Sequence, residues 1–249
     1  MSLERAAELV SGSRRGLAFT GAGISQESGI RTYRGAGGLW NTSSPRSASI
    51  DFFMGDPAAY WEIARDRGAT LLAARPNPAH DALVTLERRG HLEAVVTQNV
   101  DGLHLLAGSK EVLELHGNGR EVVCLDCGRR EPRAQVQARL DEEMPPLCHA
   151  CGGNHMKPAA VFFGEAMPER ATARAFDLAG RCDLMLVVGS SLAVYPAAQV
   201  PLVAYEAGAP LVIVNAEPTP FDELATVSIR GRAGEVLPEI VRLASEPRR

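Results

Sequence analysis

Four cysteines are arranged in two Cys-x-x-Cys pairs, a pattern that binds metal ions. Cys124 and Cys127 form the first pair, Cys148 and Cys151 form the second, and twenty residues separate the pairs. This spacing is typical of a tetrahedral zinc site with four thiolate ligands. Because four thiolates leave no open coordination position, the pattern predicts one structural Zn²⁺ and not a catalytic metal. The fifth cysteine, Cys182, stands alone before an apolar run and is expected to be a small core residue.

A glycine-rich turn follows the first apolar run, Leu17–Thr20. It extends from Gly21 to Ser25 with the sequence Gly-Ala-Gly-Ile-Ser. Glycines at the end of a strand let backbone N–H groups approach a pyrophosphate, and Ser25 could cap a following helix. Gln26 occupies the position of the third glycine of the usual dinucleotide fingerprint, and no ribose-binding acid follows a second strand. The turn therefore argues against a hydride-transfer enzyme, and by itself it could equally be a tight strand-to-helix connection.

Polar side chains follow several other apolar runs, at the points where buried strands would leave a sheet. In open α/β sheets, ligands bind at this carboxyl edge. Gln98, Asn99 and Asp101 offer groups for ribose hydroxyls and a carboxamide, although an Asx turn capping the next helix would also explain them. Small or amide residues follow two later runs: Gly189, Ser190, Ser191 and Asn215. Together these strand ends predict one extended cleft for a dinucleotide-sized ligand.

His116 ends another short apolar run and precedes a glycine. Histidine titrates near neutral pH, so His116 is a candidate general base. A lone histidine is more commonly a hydrogen-bonded structural residue, and the residue type alone leaves both interpretations open.

Short apolar runs alternate with amphipathic stretches, which predicts an α/β fold with a parallel sheet covered on both faces. The expected strands are Leu17–Thr20, Leu92–Thr97, Val112–Leu115, Asp183–Gly189 and Leu211–Asn215, and the expected helices are Leu3–Ser11, Asn77–Arg89, Pro168–Ala179, Pro196–Ala207 and Glu235–Ala244. Two stretches break this alternation and are expected to form a smaller inserted domain. The sequence is thus divided into a Rossmann-like domain (1–33, 77–117 and 159–249), a helical insertion (34–76) and a zinc-binding module (118–158).

The composition limits the classes of partner. The formal net charge is -4, so the overall field does not attract nucleic acid. The N-terminal segment lacks the apolar run of a signal peptide, and the longest apolar stretch, near Leu184–Gly189, is far too short to span a bilayer. These features predict a soluble, cytoplasmic protein without direct nucleic-acid or membrane partners.

Taken together and in order, these residues resemble the motifs of the sirtuin family. The resemblance begins with Gly21–Ile30 and Thr32–Gly35 and continues through Thr97–His104, His116-Gly117 and the cysteine quartet. It ends with Phe163–Glu165, Gly189–Ala198 and Asn215. Since the correctly spaced motifs extend over residues 21–215, the chain is similar to a sirtuin with a single catalytic core.

The resemblance implies that NAD binds between a Rossmann domain and a small zinc-bearing domain. The pyrophosphate and adenosine would contact Gly21, Ala22, Gly23, Ser25, Gly189, Ser190, Ser191, Asn215, Glu217 and Ala233. The nicotinamide and its ribose would contact Gln98, Asn99 and Asp101, beneath a loop that contains Tyr33, Arg34 and Trp40. The catalytic residues that the resemblance implies are His116, Asn99 and Arg34.

The resemblance also implies a reaction on acyl-lysine proteins, with NAD as co-substrate. The acyl oxygen would attack the carbon that bears nicotinamide, and His116 would then take a proton from a ribose hydroxyl. That hydroxyl would attack the imidate carbon, and with one water consumed the products would be free lysine, nicotinamide and O-acyl-ADP-ribose. The peptide would add as a strand between Val161–Glu165 and the segment near Val194. The expected substrate contacts are Val161, Phe163, Gly164, Glu165, Val194 and, for the acyl chain, Arg67.

The chain departs from the family pattern at two places. Arg31 stands where the family usually has Pro, and Tyr33 where it has Phe, so Arg31 could alter closure of the cofactor loop. Members that prefer succinyl or malonyl groups carry Tyr and Arg three residues apart on a small-domain helix, and the matching positions here are Ala64 and Arg67. Arg67 could still bind an acyl carboxylate, or it could be a solvated helix residue. Arg65 is a second candidate on the same helix.

Three other functions are compatible with parts of the sequence. An ADP-ribosyltransferase would use the same NAD site, but only a deacylase would yield O-acyl-ADP-ribose. A zinc-ribbon binding protein would need a basic, aromatic-studded surface, whereas the cysteine segment mixes acidic and basic residues and contains no aromatic residue. A dehydrogenase would need the missing ribose acid. The sequence therefore predicts an NAD-dependent protein deacylase, acting on acetyl or succinyl groups, with the ADP-ribosyltransferase as the alternative.

Overall fold

The computed structural model of the chain describes residues 2–35 and 37–245. In chain order, the helices and strands are α1 (Ser2–Gly12), β1 (Gly16–Thr20), α2 (Ile50–Gly55), α3 (Pro57–Ala73), α4 (Pro78–Arg88), β2 (Leu92–Thr97), α5 (Leu103–Ala107), β3 (Val112–Glu114), β4 (Gly117–Cys124), β5 (Arg130–Pro132), α6 (Arg133–Gln137), β6 (Met156–Ala160), α7 (Glu169–Ala179), β7 (Leu184–Val188), α8 (Gln199–Glu206), β8 (Leu211–Asn215), β9 (Val227–Arg230) and α9 (Ala233–Leu243). Short 3-10 helices span Ala22–Ser28, Leu39–Asn41 and Pro45–Ala48.

Six strands of the described residues form one parallel sheet in the order β3-β2-β1-β7-β8-β9. β1, β7 and β8 are buried at every residue, because helices cover both faces of the sheet. α1, α4 and α9 pack on one face, and α7 and α8 pack on the other. The strand order reverses between β1 and β7, which is where a ligand crevice forms in doubly wound sheets.

The predicted α/β core with a parallel sheet is confirmed, because all five predicted strands lie in this sheet. The sequence patterns do not predict β9, which pairs with β8 at the sheet edge. Val227 and Ile229 of β9 are buried, while Ser228 and Arg230 are exposed. An alternation this short does not stand out in a sequence, so only the pairing identifies the strand.

The smaller domain combines an antiparallel sheet with helices. Its strands lie in the order β5-β4-β6, and its apolar core also includes residues of α2, α3 and α6. Trp61 is fully buried at the centre of this core. Its indole N–H donates to the carbonyl of Met156 at 2.8 Å, which joins α3 to β6. The helical insertion and the zinc module therefore share one core.

The boundaries between the domains stay a proposal. β4 begins at Gly117 and β6 ends at Ala160, so the antiparallel sheet extends past both ends of the predicted zinc module, 118–158. We therefore extend that module to residues 117–160. None of the helices in the described part of the chain has the length and apolar character needed to cross a membrane.

Candidate active site

A cavity of about 800 Å³ lies between the two domains, at the carboxyl ends of the parallel strands. Its lining includes the predicted cofactor and catalytic residues Gly21, Ala22, Gly23, Tyr33, Arg34, Trp40, Gln98, Asn99, Asp101, His116, Gly189, Ser190, Ser191, Asn215, Glu217 and Ala233. It also includes the predicted substrate residues Arg67, Val161, Phe163, Gly164, Glu165 and Val194. The structure thus brings residues from across the chain to one cleft. Among the predicted cofactor residues, Ser25 alone does not line it, and Arg65, the second acyl-chain candidate, also lies outside it.

Ser25 lies behind the cavity wall. It is fully buried within the 3-10 helix, whose N-cap position is Gly21, so the expectation that Ser25 caps a helix is wrong. The Ser25 hydroxyl donates to Asp101 Oδ2 at 2.7 Å and accepts from Asn99 Nδ2 at 3.1 Å. Any effect of Ser25 on a bound ligand must therefore pass through Asn99 and Asp101.

The glycines after β1 are required by the close approach of two loops. Gly23 N–H donates to the carbonyl of Gly189, the residue after β7, at 2.8 Å. A Cβ on Gly23 would lie 2.7 Å from the Cα of Gly189, and a Cβ on Gly21 would lie 2.8 Å from the carbonyl oxygen of Gly189. Side chains at these positions would separate the loops, so the loop backbone itself forms this part of the cavity wall.

The polar residues after β2 are held in place by hydrogen bonds that they donate to residues at the ends of two other strands. Gln98 Nε2 donates to Ser190 Oγ at 2.9 Å, and Asn99 Nδ2 donates to the Gly21 carbonyl at 3.1 Å. Asp101 Oδ1 accepts from the backbone N–H of Leu103 at 2.9 Å, so the Asx turn expected as an alternative is present as well. Burial, opposed by these hydrogen bonds, raises the pKa of Asp101. The amide and carboxyl groups are thus fixed before any ligand binds.

His116 is oriented by a single hydrogen bond. Its Nδ1 lies 3.0 Å from the carbonyl oxygen of Gln98. A carbonyl only accepts, so Nδ1 carries the proton in neutral His116, and Nε2 keeps a free lone pair. Burial lowers the pKa of His116, and the hydrogen bond to Gln98 opposes that shift. The ring is therefore a neutral base at the cavity wall.

An aromatic row closes one side of the cleft. The rings of Tyr33 and Trp40 lie 5.4 Å apart, and those of Trp40 and Phe163 lie 6.0 Å apart. The guanidinium carbon of Arg34 lies 4.2 Å from the centre of the Trp40 ring. Arg31 donates from Nη2 to the carbonyl of Gly37 at 2.9 Å, so this residue bridges two positions within the cofactor loop. A proline at position 31 could not make that bond.

α3 forms the small-domain end of the cavity. Ala64 and Arg67 line it, and so does Tyr60, which is not among the residues predicted from the sequence. Tyr60 is one helical turn before Ala64 and two turns before Arg67, so helical spacing was the signal that could have found it. Burial raises the pKa of Tyr60. Phe162 also lines the cavity, next to the predicted Phe163, and its ring lies 5.1 Å from that of Tyr60.

The four paired cysteines converge in the small domain. Their sulfur atoms all lie within 4.8 Å of one another. Cys124 and Cys151 are 3.7 Å apart, and Cys127 and Cys148 are 3.6 Å apart. A tetrahedron with zinc–sulfur bonds of about 2.3 Å has edges of about 3.8 Å. The quartet therefore fits a zinc ion with a complete coordination shell.

Comparison with known proteins supplies the family. The sequence profile of the Sir2 family matches residues 21–196. The chain belongs to the Sir2 family. The NAD-dependent protein deacylase 2 of Archaeoglobus fulgidus is 47% identical over 249 residues, which cover 98% of both chains. The NAD-dependent protein deacetylase of Sulfurisphaera tokodaii is 45% identical over 242 residues, which cover 97% of this chain and 95% of the relative.

Solved Sir2 structures have the same fold. One, from work on the mechanism and regulation of Sir2 enzymes, matches with a TM-score of 0.92 and 46% identity over 98% of this chain and 97% of its own. A second contains a deacetylated p53 peptide and 3'-O-acetyl ADP-ribose and matches with a TM-score of 0.94 and 40% identity over 97% and 98%. A third, Sir2Af2, binds a myristoylated histone peptide and matches with a TM-score of 0.83 and 41% identity over 98% and 96%.

Two buried histidines lie beneath the cleft of this Sir2 protein. The His80 and His104 rings are 4.9 Å apart at their centres, and both side chains are inaccessible to solvent or nearly so. His80 Nδ1 accepts from the backbone N–H of Asn77, and His104 Nε2 lies 2.9 Å from the hydroxyl of Thr20. That hydroxyl in turn donates to the hydroxyl of Thr97, so it accepts from His104. His80 is therefore neutral, since its accepting Nδ1 carries no proton, and among the described residues no acceptor stabilises a proton on Nδ1 of His104. Burial lowers the pKa of His80 to about 4 and of His104 to about 3.

These histidines predict that the protein is sensitive to acid. Above the ordinary histidine pKa of 6.5 the neutral buried rings carry no penalty. Below it, the unfolded chain binds protons at both rings but the native chain does not, so stability falls until the native pKa values are reached. Between pH 7 and pH 5, each ring should cost about 2 kcal/mol of unfolding free energy.

Urea denaturation at the two pH values tests this expectation. His104→Asn and His80→Gln should each lose about 2 kcal/mol less than the wild-type protein over that interval. The comparison uses the change in unfolding free energy between the two pH values. Any loss of packing caused by the substitution is the same at both values and therefore cancels. An unaltered pH dependence in both variants would show that the native rings take up protons as readily as those of the unfolded chain.

Proposed function

We propose that this Sir2 protein is an NAD-dependent protein-lysine deacylase. The observation that carries the proposal is the cavity in which strand-end backbone, fixed amide groups and the neutral ring of His116 meet Ala64 and Arg67 of α3. The names of the relatives, deacylase and deacetylase, support the same activity. The Sir2 structures with acylated and deacetylated peptides support acyl-lysine proteins as the substrates.

Different parts of the cavity would bind the two halves of NAD. The loops that contain Gly21–Gly23 and Gly189–Ser191 would hold the phosphates and the adenosine ribose through backbone N–H groups and hydroxyls. Gln98, Asn99 and Asp101 would hold nicotinamide and its ribose. When bound, NAD supplies a ribosyl carbon whose bond to nicotinamide can be broken. Arg34 and the aromatic row would exclude water from that carbon.

His116 would act as the base. Its Nδ1–H is engaged by the Gln98 carbonyl, so a proton from a ribose hydroxyl would be accepted at Nε2. The lowered pKa keeps the ring neutral and ready to accept a proton at neutral pH. The quartet of cysteines would hold zinc away from these steps and stabilise the small domain.

The peptide would bind along residues 161–165, here called the substrate edge. Within this edge, the N–H of Val161 donates to the His116 carbonyl and that of Phe163 to the Ala48 carbonyl. The N–H of Gly164 has no partner among the described residues, and Gly164 is exposed. A free backbone N–H beside the cavity supports recognition of the peptide by main-chain pairing.

An assay that identifies the products tests the proposal. The protein is incubated with NAD and one peptide that bears acetyl, succinyl or longer acyl groups in turn, and mass spectrometry follows the products. We expect nicotinamide, the peptide with its deacylated lysine, and O-acyl-ADP-ribose in equal amounts. ADP-ribose attached to protein, without O-acyl-ADP-ribose, would instead establish the ADP-ribosyltransferase alternative.

We also propose that Arg67 lets the pocket accept acyl chains that end in a carboxylate. Its guanidinium is half-buried at the cavity wall, and Nη2 donates to the hydroxyl of Ser43 at 3.1 Å. No carboxylate of the described residues pairs with it. A half-buried cation without a counterion favours an anionic ligand. Arg65, the other candidate, is exposed and pairs with Asp141 at 3.1 Å outside the cavity.

Arg67→Met should lower desuccinylation by at least about tenfold while deacetylation changes less than about threefold, because one charge-assisted contact is lost. Initial rates at low peptide concentration measure this ratio. Arg65→Met is the matched control and should leave the ratio unchanged. Equal losses for both acyl groups in Arg67→Met would contradict the role of Arg67 in acyl selection.

We further propose a cytoplasmic location, since a four-thiolate metal site requires reduced cysteines.

A further inference from the structure

Lys157 is an unusual residue in this chain. The chain has 26 Lys and Arg residues, and only Lys110 and Lys157 are lysine. Lys110 is exposed, whereas Lys157 is only 4% exposed. A charged lysine is rarely buried unless all its N–H groups have partners. The ammonium group of Lys157 must therefore find its partners within the protein.

Every donor of the ammonium group is used. Nζ donates to the carbonyls of Pro158 at 3.1 Å and Ala160 at 2.6 Å, and to Oε2 of Glu165 at 2.9 Å. The same nitrogen lies 4.2 Å from the centre of the Phe162 ring. Three acceptors around one nitrogen suit the three hydrogens of an ammonium, whereas the planar fork of arginine would direct its donors elsewhere.

Glu165 connects the hydrogen bonds of Lys157 to the substrate edge. The oxygen that accepts from Lys157 also accepts from the backbone N–H of Phe162 at 2.8 Å. The edge therefore folds back on itself between Phe162 and Glu165, with Gly164 at a φ of 94°. Oε2 of Glu165 is therefore engaged within the protein.

The same bonds fix the edge relative to His116. Ala160, whose carbonyl is held by Lys157, pairs with Gly117, the residue after His116. The next N–H, of Val161, donates to the His116 carbonyl at 2.8 Å. Displacing Lys157 or Glu165 would therefore move the peptide-binding backbone relative to His116. None of the hydrogen bonds of this pair involves the loops that follow β1 and β7.

We propose that Lys157 and Glu165 are positioning residues that hold the substrate edge in register with His116. The inference rests on the deacylase function proposed above. It predicts that the pair controls peptide binding and not NAD binding. The unit acts as a whole, because each partner orients the other.

The test compares KM values for an acetyl-lysine peptide and for NAD. Lys157→Met and Glu165→Ala should each raise the peptide KM by at least about tenfold and leave the NAD KM within about twofold. The double variant should be no worse than the poorer single variant, since the two groups act as a unit. Lys157→Arg should fail to restore the wild-type peptide KM. Lys110→Met, at the other lysine, should match the wild-type protein.

Three outcomes would overturn the inference. They are an unchanged peptide KM in Glu165→Ala, a parallel rise in both KM values, and additive effects in the double variant. Glu165 is partly exposed, so Glu165→Ala keeps the test valid even if Lys157→Met fails to fold.

Peptide binding is also measured by fluorescence anisotropy with NAD absent, which needs no turnover. If the wild-type protein bound peptide but released no nicotinamide, the proposed function would fail while the anisotropy comparison still tested the pair.

Discussion

His116→Ala should lose at least about a hundredfold of the deacylation rate, the usual contribution of a general base, while NAD affinity stays within a few-fold. The reason lies in the hydrogen bond from Nδ1 to the Gln98 carbonyl, which leaves Nε2 as the accepting atom. NAD affinity should survive because the strand-end groups that would bind the dinucleotide hold one another independently of His116. Steady-state kinetics and calorimetric titration with NAD measure the two quantities.

His116→Asn separates basicity from packing. Its amide can still donate to the Gln98 carbonyl, but it cannot accept a proton near neutral pH. It should be as inactive as the alanine variant. In the wild-type protein, the lowered pKa of His116 should keep the base deprotonated, and kcat/KM high, to a lower pH than an ordinary histidine would allow. Turnover retained in both variants would refute the role of His116.

Cys148→Ala should release zinc and unfold the small domain. A structural zinc site contributes on the order of 10 kcal/mol to folding, far more than a small loop-rich core can replace. β4 runs from Gly117 to Cys124, and β6 runs from Met156 to Ala160, so the zinc site is joined to His116 and the substrate edge by two paired strands. Deacylation should therefore be lost together with the metal.

Metal analysis, circular dichroism and the deacylation assay follow the same preparation. Cys182→Ala is the control, since Cys182 lies outside the quartet and should leave zinc content and activity unchanged. A soluble, zinc-free and fully active Cys148→Ala protein would show that the site is dispensable.

Tertiary structure reassigned two residues that the motifs had grouped with ligand contacts. Ser25 does not line the cavity and instead supports Asn99 and Asp101. Glu165 lines it, but its carboxylate binds Lys157 and Phe162. A motif records that a residue belongs to a site, but the direction of its side chain depends on partners that the motif does not contain. The roles of the remaining cavity residues stay predictions for the variants described above.

The sequence by itself determined the parallel core, the zinc quartet and a set of site residues of which most meet at the cavity. These features are local: a strand covered on both faces must be apolar throughout, and thiolates that share one ion must come in closely spaced pairs. Only the tertiary structure decided the short edge strand β9 and the contacts of Lys157. Each depends on groups distant in the chain or on a face that no local pattern marks. Gln98 and Ser190, for example, meet across 92 residues, because parallel strands bring their carboxyl ends together only after the whole sheet has formed.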